Sequence, residues 1–493
     1  MDLSQLIFPT IYSALAVLAA VICIAVGCIL LHVSRKNVQI FFPVLFLLMT
    51  MISITDVALS GRSLTQQYGM QDMELGDSLM GATKLPAKLM LALLIGFSVV
   101  SLVARLVQRH KQTVAYGGLL GGLMIFYVAC AIVPAVFGYK PLFSISLIYI
   151  PLILCALFLS APADPMQLTQ QLKIAMSIIV LASLATAVVA PSIALQQGYH
   201  AGLIPGFDIR LWGLASHANV LGPVALTLLI LELSVPLKRR IFHQLLLCLA
   251  GLTIILTQSK TSLAAGSVAL LIILGYRFQL YLRGLWSLRR AGAATTTNGV
   301  FAIGIAALLL LTLAILGLVL FLDYLPIRYD FFNRKALEDM ESGTGRTSIW
   351  AIAISEGWRY PLFGYGLSIW DPDFRYSRGV LTAFHAHNQL LQIFSVAGFF
   401  GLMGFIIYLF MLGRLAWRTS SVSGGATVAL FSILLIRSIA EVPLQIIAFT
   451  GGDFMAHLAF VFFLGACERR LPATTTARNT AFNVTRSRKA EVA

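Results

Sequence analysis

Charge is what this sequence has least of. Only 11% of its 493 residues are Asp, Glu, Lys or Arg, where a soluble domain carries about 25%. With 59% hydrophobic residues and a mean hydropathy of +0.88, there is too little polar surface to wrap a water-soluble fold. That excludes the series of soluble domains which length alone would suggest, and equally a disordered, collagen-like or disulfide-scaffold chain. Cysteine is scarce too. Cys23, Cys28, Cys130, Cys155, Cys248 and Cys467 lie in or at the ends of apolar stretches with no metal-ligand spacing, so they read as small apolar packers and no structural disulfide is expected. Nor is there a P-loop GxxxxGK[ST], an HExxH, a GxSxG or a CxxC pair, which sets aside the chemistries those motifs carry.

What is present is apolar length. A run of about 20 residues spans the hydrocarbon layer as a helix. Such runs occur near 8–31, 38–60, 85–107, 114–137, 141–161, 172–194, 217–236, 241–257, 261–283, 298–322, 388–412, 425–447 and 451–467. The expectation is an all-α polytopic membrane bundle of about 13 spans, or 12 because the runs at 241–257 and 451–467 are short. The first run has no basic leader and reads as a retained helix. The whole chain, 1–493, forms one transmembrane domain, with a large outer loop at 323–387 and a basic cytoplasmic tail at 468–493.

The net charge of +15 does not point to nucleic acid. The cations sit in short groups between apolar runs, such as Arg35-Lys36, Lys238-Arg239-Arg240, Arg289-Arg290 and Arg469-Arg470, the pattern that fixes membrane orientation. With 323–387 outside, the inner loops hold about 21 Lys and Arg against about five in the short outer loops. The opposite orientation would expose all the tail cations. The C-terminus is therefore expected in the cytoplasm.

On that orientation a set of polar groups collects at the outer face. Arg210 opens RLWGLASHANVLG, with His217 and Asn219 behind it; Lys260 lies in TQSKTSLAAG, in the turn between two spans; Arg346 lies in GTGRTSIW; His385 and His387 end the long loop. Arg437 and Glu441, four residues apart in the span at 425–447, would share a helix face. A deep guanidinium is costly enough to suggest a functional role with a named partner. Each residue also has a plainer reading. Arg437–Glu441 would serve equally as a helix-locking pair, Arg210 and Arg346 as headgroup anchors, and Lys260 as a snorkelling interface residue. His217 would satisfy backbone groups at a helix start, and His385 would be structural. The long loop holds Trp350, Trp358 and Trp370, either an interfacial belt or a sugar platform. Within it, Thr347–Trp358 reads as a short amphipathic helix with Ile349, Ala353, Ile354 and Gly357 on one side. Asp371-Pro-Asp373 has the DxD spacing of metal-dependent sugar transferases, but also that of an ordinary polar turn. No metal and no cofactor are expected, because arginine and lysine can stabilise a diphosphate leaving group on their own.

These motifs, taken in order with PLFGYGLSIW and HAHNQLLQIFSVAGFFGLMGFIIYLF, resemble the O-antigen ligase and polysaccharide polymerase superfamily of bacterial envelopes. The resemblance covers about 205–412, and the HxHNxxLQ…GxxGL ending is its most specific part. It implies a C-type glycosyltransferase in the inner membrane, its active site facing the periplasm. Such an enzyme moves a glycan from undecaprenyl diphosphate to an acceptor hydroxyl without a metal and with inversion. Carried over by motif, Arg210 and Lys260 would bind the diphosphate, His387 would deprotonate the acceptor, and Arg346 would order the loop or the donor. His385, Asn388, His217, Arg437 and Trp350 are further candidates for substrate binding. The family commonly has Arg where Lys260 stands and Pro-Asn where Ala218-Asn219 stands. Polymerisation of exopolysaccharide or O-antigen repeat units is favoured. Ligation to a lipid A core is the alternative, and a flippase for the same lipid-linked oligosaccharide is the alternative of another class. The implied partners are the lipid-linked oligosaccharide, membrane lipid, and flippase and chain-length regulator proteins, with no nucleic acid.

Overall fold

The computed structural model of the protein describes residues 41–60, 62–64, 85–107, 116–160, 165–199, 207–289, 346–381, 383–445, 449 and 451–471. Within them the apolar runs are helical. The first are α1 (Phe41–Ala58), α2 (Leu85–Val107), α3 (Gly117–Tyr127) and α4 (Val133–Phe137), the last two joined by a π turn at Val128–Ile132. There follow α5 (Ser146–Leu159), α6 (Pro165–Val189), the single turn α7 (Pro191–Ala194), α8 (Ala218–Ser234), α9 (Arg240–Leu256) and α10 (Lys260–Arg289). The last five are α11 (Arg346–Arg359), α12 (Pro372–Ser377), α13 (Gln389–Arg418), α14 (Ala426–Ala440) and α15 (Gly452–Glu468). The expected spans near 8–31 and 298–322, and residues 323–345 of the long loop, lie outside the described residues; the other eleven runs each contain a helix. Among the described residues five helices are long and apolar enough to cross a membrane, at Leu85–Val103, Gly117–Phe137, Met166–Val189, Lys260–Gln279 and Gln389–Arg418, and five shorter apolar ones accompany them. The protein is an all-α polytopic membrane protein.

Helix α8 is the centre of the bundle, packed against α6, α9, α10, α14 and α15. Its Leu221, Val224, Ala225, Leu228, Ile230 and Leu231 are fully enclosed. Helix α15 is buried almost all round, from Gly452 to Cys467, which suits a helix that is apolar on every face. Cys130, Cys155, Cys248 and Cys467 are free thiols.

One element was not expected from sequence. A two-stranded antiparallel ribbon pairs β1 (Leu195–Gln197) with β2 (Ile209–Leu211), placing Gln196 opposite Arg210. The short helix α11 lies where the amphipathic pattern predicts, but its buried face is rotated: Ala353, Glu356 and Gly357 point inward while Ile354 is 41% exposed. Close approach to α13 explains the rotation, since a Cβ on Gly357 would stand 2.3 Å from the Phe394 ring. The buried Glu356 is held by Arg378.

Residues 361–366 are fastened to α13 through the main chain. Gly398 (φ +62°) breaks the helix, and a Cβ there would meet the Pro361 carbonyl oxygen at 2.5 Å, so only glycine fits this left-handed, close-packed position. Across the break the N–H groups of Phe399 and Phe400 donate to the carbonyls of Pro361 (2.7 Å) and Leu362 (3.1 Å), and those of Tyr365 and Gly366 donate to Ser395 (2.9 Å) and Val396 (3.0 Å). On its other side the same strip accepts from Tyr139 (3.1 Å) and Lys140 (2.8 Å).

Candidate functional site

Six helix ends and the ribbon converge at one end of the bundle. His217 caps α8, its Nδ1 accepting from the Asn219 N–H at 3.0 Å. Asn388 caps α13, its side-chain oxygen accepting from the Leu391 N–H at 3.0 Å. Helix α9 closes into a turn at Thr257–Ser259 in which Gln258 takes a positive φ of 45°, and α10 starts at Lys260. Helix α14 ends at Ala440 because Glu441 is extended (φ −147°, ψ 178°). Arg346 opens α11.

Glu441 is the hub. It is 5% exposed. Its Oε1 accepts from Asn219 Nδ2 at 2.6 Å and from Arg346 Nη2 at 3.2 Å, and its Oε2 lies 3.4 Å from His387 Nδ1. Arg346 also donates through Nη1 to the Ala440 carbonyl at 2.9 Å, a cation meeting a helix C-terminus. From Asn219 the network runs on to Arg210, whose Nη2 donates to Asn219 Oδ1 at 2.6 Å and whose Nε donates to the Thr257 carbonyl at 3.0 Å. The Arg210 guanidinium stacks on Tyr199, 4.6 Å from the ring centre. One carboxylate thus ties together two arginines and an imidazole.

Electrostatics follow from the burial. Burial lowers Arg210 from its ordinary value, though a guanidinium stays charged in proteins. Burial and the Arg210 charge hold His217 down to about 3; burial, with the neighbouring His387 ring, holds His385 down to about 4. Both imidazoles are therefore neutral near pH 7. Burial alone would raise Glu441, but the adjacent His387 ring and the Arg346 guanidinium outweigh it and bring the carboxyl down to about 2. His387 is built differently from its neighbour. Its φ of 49° is in the left-handed region, which costs a non-glycine residue about 1–3 kcal/mol and clusters at functional sites. Its main-chain N–H donates to His385 Nδ1 at 3.1 Å, and the two rings lie 4.1 Å apart.

The structure thus brings Arg210, Arg346, His385 and His387 together. Lys260 lies three residues beyond Thr257, whose carbonyl Arg210 holds; the same turn is pinned to the ribbon by Gln258 Nε2, which donates to the carbonyls of Phe207 (2.8 Å) and Ile209 (2.7 Å). Trp350 sits one helical turn after Arg346 and is half-buried. One reading needs correction. Arg437 does not pair with Glu441: the helix ends between them, and Arg437 instead bonds Asp453 Oδ1 at 2.7 Å and the Asn219 carbonyl at 2.9 Å, so it supports the site from behind. His217 takes the helix-start role that its plainer reading gave it, through Nδ1, and Asn388 caps α13 while its Nδ2 donates to the Ile439 carbonyl at 2.9 Å. Sequence reasoning missed Asn219 as a bridge and Glu441 as the hub. An acid in an apolar run beside an arginine was the available signal, but it was assigned the wrong partner.

A metal is the one alternative occupant that the donor set invites. Ligand atoms of His385, His387 and Glu441 all lie within 4.8 Å of one another. The carboxylate, however, is already engaged by Arg346 and Asn219, and a divalent cation there would face a guanidinium. The Asp371-Pro-Asp373 spacing is a helix start, with Asp371 at the cap of α12 and Pro372 in its first turn. The network suits an anion better than a cation.

No curated protein matches the chain. Residues 245–406 match the family model Wzy_C, O-antigen ligase, a stretch that runs from α9 into α13 and carries Lys260, Arg346, His385 and His387, while Arg210, Asn219 and Glu441 lie outside it. That match makes this stretch similar to the O-antigen ligase family.

Proposed function

We propose that the protein is a bacterial inner-membrane glycosyltransferase. It moves an oligosaccharide from undecaprenyl diphosphate onto an acceptor hydroxyl at the periplasmic face, polymerising exopolysaccharide or O-antigen repeat units. The observation that carries this reading is the joining of Arg210, Arg346 and His387 through Asn219 and Glu441. Two fixed cations stand beside a base-competent imidazole at one end of the bundle.

A sugar on a diphosphate is already activated, so the enzyme need only stabilise the departing anion and orient the attacking hydroxyl. Arg210 and Arg346, with Lys260 three residues past the Thr257 carbonyl that Arg210 holds, supply the positive field for the diphosphate; guanidinium forks suit phosphate oxygens geometrically. His387 takes the proton from the acceptor oxygen as that oxygen bonds to the anomeric carbon and the bond to the diphosphate breaks. Attack opposite the leaving group inverts the anomeric centre, and no metal is needed. A positioned base of this kind contributes about 10²–10⁴-fold. His385 and Trp350 line the acceptor side.

The family name itself favours a second reading, ligation to a lipid A core, which needs the same donor, leaving group and base. Purified protein in liposomes, given lipid-linked oligosaccharide and no energy source, tests both. A lengthened glycan still on diphosphate lipid indicates polymerase; glycan joined to added lipid A core indicates ligase. Movement of the lipid across the bilayer with no new glycosidic bond would overturn the enzyme reading in favour of transport.

A further inference from the structure

We infer that Glu441 is the positioning residue for His387: it selects the imidazole tautomer with the proton on Nδ1 and so leaves Nε2 as the proton acceptor. This rests on the proposed role of His387 as base, and gives Glu441 a function that the matched stretch, ending at 406, does not contain.

The geometry assigns the two carboxylate oxygens different work. Oε1 is held by Asn219 and Arg346; Oε2 is turned to His387 Nδ1 at 3.4 Å. A carboxylate accepts hydrogen bonds and cannot donate them when ionised, so the nitrogen facing it must carry the proton. The spacing is longer than a settled hydrogen bond, a looseness common at acid–base sites before they close on substrate. The ring has little freedom to turn away. Its main chain is fixed in a left-handed conformation by the N–H bond to His385, the preceding Ala386 N–H is held by Gln392 Oε1 at 2.8 Å, and the following residue caps α13. Glu441 is equally fixed, by Asn219 from α8 and Arg346 from α11. A carboxylate behind an imidazole does two things: it sets the tautomer, and it stabilises the imidazolium formed when the proton arrives. The arginines alone would do the opposite, since Arg346, held on the same carboxylate, and Arg210, joined to it through Asn219, both oppose a further positive charge.

The charged and titratable groups of the cluster that holds His387 are Glu441, His385, His217, Arg210, Arg346 and Arg437, with Asp453 paired to Arg437. With His217 and His385 kept neutral and Asp453 engaged by Arg437, Glu441 is the anion next to the imidazole. The test is Glu441→Gln, assayed in liposomes with lipid-linked oligosaccharide across a pH series. The expected result is a kcat lower by about 10²–10⁴-fold, the range of the base itself, with donor KM changed little and the acid limb of the pH profile moved to lower pH. The double variant H387A/E441Q should be no slower than H387A. Near-normal kcat with an unmoved pH profile in E441Q overturns the inference, as do losses that multiply in the double variant. Should E441Q fail to fold, Glu441→Asp provides the same discrimination: a retracted carboxylate should cost kcat and spare KM, and wild-type kcat would overturn the role. If H387A itself stays active, the base assignment fails; if H387A is dead and E441Q is not, only the positioning role fails.

Discussion

Helix α8 carries a glutamate-centred cluster at each end, and the two are built to opposite purposes. At its second residue, Asn219 reaches Glu441 with Arg346, His387 and Arg210 around it. Thirteen residues on, about 20 Å along the axis, Glu232 is fully buried. It is paired with Lys173 Nζ at 2.5 Å and His243 Nδ1 at 2.7 Å, and accepts the Leu237 N–H at 2.8 Å. Lys173 completes its own set by donating to the Val235 carbonyl at 2.5 Å. There one acid balances one lysine, and the backbone keeps ordinary geometry. At the other end two arginines share one acid, and His387 is held at a positive φ of 49°. Balance marks a structural lock, whereas a surplus of fixed cations beside a strained imidazole marks a place for an anion.

The sharpest way to break that comparison is to remove a cation from the surplus. Arg210→Ala should lower transfer by about 10²–10³-fold, the usual loss for one donor that stabilises developing negative charge, read as initial rates with lipid-linked oligosaccharide. Arg210→Lys should recover little, because one ammonium cannot both hold Asn219 and face a phosphate; full recovery by lysine would reduce the site to simple attraction. Glu232→Gln should show the reverse pattern. Orphaning the enclosed Lys173 costs about 3–5 kcal/mol, so the melting temperature should fall while kcat per folded molecule holds. A selective loss of kcat there would erase the distinction between the two ends.

Acid should act next. His217 and His385 titrate in the folded protein at about 3 and about 4, below the ordinary 6.5, so their contribution to stability is complete above about pH 6.5 and drains away as pH falls toward 4 and then 3. The Glu441 contribution lasts longer, fading only below its ordinary 4.5 toward about 2. Thermal melts should therefore decline on acidification from pH 6.5, and His385→Asn should flatten the first part of the decline; an identical slope in that variant would detach His385 from it. The smallest effect expected is none: chelation with EDTA should leave activity unchanged. A loss restored by a divalent ion would convert His385, His387 and Glu441 into a metal centre.

Much of this architecture was legible in the sequence, because hydrophobic length is a one-dimensional signal. The runs that became α1, α2 and α8 to α10 needed no tertiary information. The cations Arg210 and Arg346 and the imidazole His387 were legible through their motifs. What could not be read was pairing. Asn219 looked like a helix-start residue, and only the fold shows its amide joining Arg210 to a glutamate 222 positions away. The spacing of Arg437 and Glu441 suggested an intrahelical pair, but α14 ends at Ala440, and one extended residue sends the carboxylate to Arg346 and leaves Arg437 to Asp453. The β1–β2 ribbon was hidden for the same reason: three-residue strands carry almost no periodicity.

The break at Gly398 has a mechanical corollary. The main-chain bonds on either side of it rivet residues 361–366 to α13, and that strip stands between α11, which bears Arg346, and the histidine pair ahead of α13. Because those bonds reach both sides of the break, they hold the strip and both halves of α13 together as one piece. On the proposed function, any opening that admits a bulky lipid-borne sugar must carry this piece along whole, which keeps the histidine pair in register with the helix that bears Arg346.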